Sequence, residues 1–108
     1  GEIKEGTTSN VFLIREGVLS TPKEGVLPGV TREVVIDLVQ EGNFDLEVKE
    51  RQVELQEAFR AEEMFLTSTH REILPVIRIN HKEVGPGKVG RRTKKILSQF
   101  RERVGRKE

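Results

Sequence analysis

The 108-residue sequence predicts one α/β domain, a mixed β-sheet flanked by helices. Three observations predict it. Two short apolar strands meet across a Glu16-Gly17 turn near the start. Two later segments carry apolar residues at helical spacing. Shorter apolar runs with alternation or turn signals lie between them.

Taken in order, Asn10-Val11-Phe12-Leu13-Ile14-Arg15 reads as a strand and Val18-Leu19-Ser20-Thr21 as its returning partner, so the two form a hairpin. Residues 21–29 hold two prolines and two glycines and read as loop. Residues 31–41 read as a helix, because Val34, Val35, Leu38 and Val39 fall on one stripe and Gly42 follows as a stop. The β-branched residues there favour a strand taken alone, but the stripe outweighs them. Phe44, Leu46 and Val48 alternate with polar residues, as a half-buried strand does. A short helix is expected over 55–60 and a strand over 64–67. Another strand is expected over 73–79, with Pro75 marking an edge or bulge. Asn80-His81-Lys82 reads as a turn. The last element is a helix over 89–104, with Val89, Ile96, Leu97, Phe100 and Val104 on one face.

Composition narrows the function. Apolar and charged residues each make up 34% of the chain, and the apolar share is low for a self-sufficient globule. Either further apolar partners lie on another segment or subunit, or ion-pair networks replace core size. The net charge of +1 gives the whole chain no electrostatic case for nucleic acid or membrane. There is no cysteine, so disulfides, thiolate metal sites and cysteine nucleophiles are excluded. His70 and His81 are not spaced as metal ligands, and no metal site is expected. The chain opens on Gly1-Glu2-Ile3-Lys4 without methionine, so its start is expected upstream or removed.

Five segments could carry chemistry. Glu5-Gly6-Thr7-Thr8-Ser9-Asn10-Val11-Phe12 places an acid and small hydroxyls before a strand, a surround for an anion or simply a polar lead-in. Leu27-Pro28-Gly29-Val30-Thr31-Arg32 places a glycine at a helix start, where unpaired N–H groups and the helix dipole can grip a phosphate. Thr31 alternatively caps its own helix. Thr67-Ser68-Thr69-His70-Arg71-Glu72 puts three hydroxyls at a strand end, for a phosphate, a carboxylate or a turn. Gly85-Pro86-Gly87-Lys88-Val89-Gly90 matches the spacing of a dinucleotide-binding turn, yet no further strand follows its helix. Nine Lys or Arg against the single acid Glu102 between Lys88 and Lys107 offer a basic tail for nucleic acid, or a solvated helix face. No Tyr or Trp is interleaved there for base stacking.

In this order the first three segments, with Thr21-Pro22 between them, resemble the class IV aminotransferases. Glu63-Met64-Phe65-Leu66-Thr67-Ser68-Thr69, Ile73-Leu74-Pro75-Val76 and the stretch from Gly85 to Thr93 fit the same family. The resemblance runs over nearly the whole chain. It implies the C-terminal domain of the D-amino-acid aminotransferase-like fold, with residues 1–108 forming most of that larger, pyridoxal-phosphate-binding domain. The family's N-terminal domain, and the lysine that forms the Schiff base, are expected outside these residues. None of Lys4, Lys23, Lys49, Lys82, Lys88, Lys94, Lys95 or Lys107 matches that lysine by position.

The resemblance implies pyridoxal 5'-phosphate as cofactor and gives residues their roles. Glu5 matches the acid that keeps the pyridine nitrogen protonated. Leu27 matches the apolar residue against the ring. Gly29, Val30 and Thr31 match the phosphate cup, with Ser68 and Thr69 matching the hydroxyl side. Thr69 and His70 lie where some members bind the substrate carboxylate. The implied reaction moves an amino group between a branched-chain or D-amino acid and a 2-oxo acid, in a cytoplasmic homodimer. A lyase of the aminodeoxychorismate type is the alternative within the family, and a basic-tailed nucleic-acid-binding module is the alternative outside it. Branched-chain members carry Gly-Thr-Ala-Ala where this chain has Ser68-Thr69-His70-Arg71. The D-amino-acid type is nearer there, and His70 and Arg71 either contact an acidic substrate or face solvent.

Overall fold

A computed structural model describes residues 2–3, 9–23, 30–68 and 72–105. The elements are β1 (Glu2–Ile3), β2 (Ser9–Arg15), β3 (Val18–Thr21), α1 (Val30–Leu38), β4 (Glu47–Glu50), β5 (Val53–Glu54), α2 (Leu55–Arg60), β6 (Glu63–Ser68), β7 (Glu72–Pro75), β8 (Arg78–Ile79), β9 (Lys82–Glu83) and α3 (Arg91–Gly105). The main sheet has five strands in the order β4-β3-β2-β6-β7. The β3–β4 pair is parallel and the other three pairs are antiparallel, so the sheet is mixed as expected.

Strand alternation divides the apolar residues between two faces. Phe12, Ile14, Leu19, Phe65 and Ile73 face the helices. They pack with Val35, Leu38 and Val39, with Phe44, and with Ile96 and Phe100 of α3. Phe12 and Phe65, opposite one another in β2 and β6, stack with ring centroids 4.9 Å apart. Val11, Leu13 and Met64 face the other way and meet Val53, Ala58, Ala61 and Val84.

Most expected elements are present, with shifted ends. The hairpin turns at Glu16 (φ 51°) and Gly17 (φ 78°). The first helix stays α-helical to Leu38 and then widens into a π-helical turn, Val39–Asn43, which Gly42 ends at φ 91°. Its buried stripe includes Ile36, whereas Val34 is only half-buried. The strand expected from Phe44 begins at Glu47, because Phe44 is the extended residue that follows the π turn and drives its ring into the core. The strand expected over 73–79 splits after Pro75. The Val76 amide still donates to the Met64 carbonyl at 2.9 Å, and Arg78–Ile79 leaves to pair with β9. The last helix begins at Arg91, so Val89 lies before it. The β1–β5 pairing was not expected at all.

Candidate active site at one end of the sheet

Strand direction decides where the motifs meet. β3, β4 and β6 run the same way, and β2 runs against them. The start of β2 therefore lies beside the ends of β3, β4 and β6. Ser9 pairs with Ser68, Asn10 with Thr67, and Thr21 with Glu50. Ser68 pairs in turn with Glu72 of β7. The start of α1 is tied to the same end, because Arg32 donates to the Pro22 carbonyl at 3.0 Å and to Glu50 Oε1 at 2.7 Å. The three segments that read as anion-binding thus attach to one rim of the sheet. Ligand sites of open α/β sheets lie at such a rim, beyond the carboxyl ends of the strands.

Of the expected site residues, Val30, Thr31 and Ser68 lie within the described structure, and all three stand at this rim. Glu5, Leu27, Gly29, Thr69 and His70 lie outside the described residues. Val30 opens α1 and is 68% exposed. Thr31 follows it at 2% exposure, and its hydroxyl has no hydrogen-bond partner among the described residues. The first amides of a helix have no intrahelical acceptor either. A buried hydroxyl without a partner costs about 1–3 kcal/mol, and a phosphate oxygen at the helix start would relieve that cost. Asn10 Oδ1 and Thr67 Oγ1, on the helix-facing side where β2 begins and β6 ends, are also buried without partners among the described residues. Among the described residues the donors at this rim are the hydroxyls and the backbone N–H groups, which suit a phosphate ester, while Asn10 Oδ1 can only accept. No group of acids and histidines suited to a metal ion occurs among the described residues.

The sequence counts Thr67 among three hydroxyls at a strand end, but gives no role to Asn10, Arg32 or Glu50. Arg32 stood in the Gly29-Val30-Thr31-Arg32 run, but nothing local marks it as buried. Its partner Glu50 is eighteen residues away.

The glycine pattern before α3 has a structural cause. Glu63 of β6 reaches the start of α3 and accepts from the Thr93 amide at 2.7 Å, the Thr93 hydroxyl at 2.7 Å and the Arg92 amide at 3.3 Å. The place a nucleotide phosphate would occupy is therefore held by an internal carboxylate. A Cβ on Gly90 would lie 2.0 Å from Glu63 Cδ, and one on Gly85 would lie 2.2 Å from the Glu62 carbonyl oxygen. The basic run is partly absorbed into the fold as well. Arg92 pairs with Glu62 at 2.8 Å, Arg103 with Glu41 at 2.5 Å, and Lys95 lies 4.6 Å from the centre of the Phe44 ring.

Two hollows lie elsewhere. One of about 240 Å³ sits on the face opposite α1, among Leu13, Ser20, Arg51 and Glu57. One of about 320 Å³ lies between Phe44 and the start of α3. Neither is lined by an expected site residue. No helix among the described residues is long and apolar enough to cross a membrane.

Comparison with known proteins agrees with the fold. The branched-chain-amino-acid aminotransferase of Escherichia coli is 37% identical over 102 residues, covering 93% of this chain and 32% of that protein. Its crystal structure superposes with a TM-score of 0.84 over 93% of this chain and 33% of that one. The branched-chain amino acid aminotransferase of Thermobaculum terrenum in its PLP form superposes with a TM-score of 0.89 at 40% identity, over all of this chain and 36% of that one. The chain spans about a third of the length of the curated relatives it matches. The family model described as amino-transferase class IV matches residues 1–79, and with that match the chain belongs to the class IV aminotransferase family.

Proposed function

We propose that this chain is most of the larger domain of a pyridoxal-phosphate-dependent transaminase and that the rim described above is its cofactor site. The observation that carries the reading is the buried, partnerless Thr31 hydroxyl in the first turn of α1, at the rim where β2 begins and β6 ends. The N–H groups of Val30 and Thr31 and the Thr31 hydroxyl donate to the phosphate. Gly29 allows its close approach, and Ser68 and Thr69 close the cup from the β6 side. Leu27 packs on the ring. Glu5, four residues before Ser9, holds a proton on the ring nitrogen. When bound, the cofactor supplies an electron sink at the substrate α-carbon. Thr69 and His70 orient the substrate carboxylate. The amino donor is a branched-chain or D-amino acid, the acceptor is a 2-oxo acid, and the enzyme works as a cytoplasmic homodimer. The lysine that carries the proton lies outside these 108 residues.

The reading is tested by titrating the polypeptide with pyridoxal 5'-phosphate and with phosphate-free pyridoxal, and following the cofactor absorbance. Saturable binding that needs the phosphate and is displaced by inorganic phosphate is expected. Equal binding of both compounds, or none, contradicts it. Light scattering on the same preparation tests the dimer.

A further inference from the structure

Arg32 is the third residue of α1, and its guanidinium side chain is only 6% exposed. Two facts make this placement costly. Burying a cation is unfavourable unless it is paired and hydrogen-bonded. A cation in the first turn also opposes the helix dipole, which favours acids there. What the guanidinium touches offsets part of the cost, although Nε is buried with no partner among the described residues. Nη2 donates both to the Pro22 carbonyl and to Glu50 Oε1, and Nη1 lies 3.4 Å from Glu33 Oε1. Pro22 is the first residue after β3, and Arg32 follows directly on Thr31. The two ends of the segment that carries Leu27, Gly29, Val30 and Thr31 are therefore fastened to each other by one nitrogen.

The surroundings of that nitrogen are fastened too. Thr21, just before Pro22, donates its hydroxyl to the Val11 carbonyl at 2.7 Å, and its own carbonyl accepts the Arg51 amide at 2.9 Å. Glu50 stands opposite Thr21 in the parallel β3–β4 pair. One end of the segment is thus pinned to the neighbouring strands on both sides, and Arg32 ties the helix start to that pinned end.

Resting on the cofactor reading above, we propose that Arg32 is a positioning residue, with Glu50 as its anchor. It ties the start of α1 to the residue after β3 and to β4, and so holds the amides of Val30 and Thr31 at the spacing a phosphate needs, without touching the phosphate itself.

The test uses the intact polypeptide in three forms: unaltered, Arg32→Met and Arg32→Lys. Affinity for pyridoxal 5'-phosphate and for pyridoxal is measured by absorbance, and amide hydrogen exchange over residues 22–31 is measured without ligand. Arg32→Met should weaken pyridoxal-phosphate binding about tenfold, the ratio that corresponds to ~1.4 kcal/mol. It should leave pyridoxal binding unchanged and speed exchange over the segment. Arg32→Lys, which keeps a donor for both acceptors, should restore most of the affinity. If Arg32→Met does not fold, Glu50→Gln keeps the acceptor and removes the charge. It should show the same selectivity at smaller size. Unchanged pyridoxal-phosphate affinity in these variants, or equal loss for both compounds, overturns the clamp. Failure of the unaltered polypeptide to bind either compound overturns the cofactor reading, which is a different result.

Discussion

Thr31 illustrates how a single buried atom separates stability from binding. Its hydroxyl is enclosed and has no acceptor or donor among the described residues. Replacing a polar group that has no partner by an apolar one of the same shape is close to neutral or stabilising. Thr31→Val should therefore leave thermal stability unchanged or slightly raised. The same change removes a hydrogen bond to a charged phosphate, which is worth about 1.5–3 kcal/mol, so cofactor affinity should fall at least tenfold. Calorimetry and a cofactor titration on one sample check both signs; a variant less stable but undiminished in binding contradicts the account. Glu62 shows a different residue-level effect. The Glu16 amide hydrogen bond, followed by Arg92, holds its carboxyl below the ordinary 4.5. Hydrogen bonds from Arg103 and Arg51 do the same for Glu41 and Glu57. A carboxyl lowered by folding contributes stability that is present above pH 4.5 and is lost as pH falls through the lowered value. Denaturation midpoints should fall as pH drops below 4.5, less steeply in Glu62→Gln, and equal slopes for the two proteins would contradict this.

At the scale of elements, α3 depends on a cap supplied from outside its own segment. Glu63 satisfies its first amides, and the bare Gly90 leaves room for that carboxylate. Losing an N-cap costs about 0.5–2 kcal/mol. Glu63→Ala should destabilise by at least that amount, and Gly90→Ala should resemble it by displacing Glu63. Urea melts test this, and two variants as stable as the unaltered chain would contradict the cap. These elements also show what was legible. The β2–β3 hairpin and the helical stripe of α1 follow from local periodicity, so the sequence alone reveals them. The split after Pro75 and the two-residue β1–β5 pair depend on tertiary hydrogen bonds and leave no period to read. The glycine spacing before α3 reads locally as a turn, and its structural cause lies in Glu63, distant in sequence. The candidate site reads in the sequence as a helix start with a glycine and a hydroxyl. The buried Arg32–Glu50 pair was not, since a charged residue in a first turn reads as surface.

The whole molecule is a sheet with a core on each face. The low apolar share is reflected in Leu74 and Ile77, which stay 43% and 38% exposed along and just beyond β7. We expect the 108 residues on their own to show no transaminase activity, because none of their lysines matches the family's proton carrier by position. A coupled assay for glutamate formation from 2-oxoglutarate checks this, and a measurable turnover would contradict it. The relation between the start of α1 and the sheet rim matters more than the rate. The most direct measurement is a crystal structure of the polypeptide with pyridoxal 5'-phosphate bound. The account predicts phosphate oxygens about 2.7–3.2 Å from the amide nitrogens of Val30 and Thr31, with the Glu5 carboxylate against the ring nitrogen. Phosphate density at the start of α3, or in the hollow beside Phe44, would contradict it.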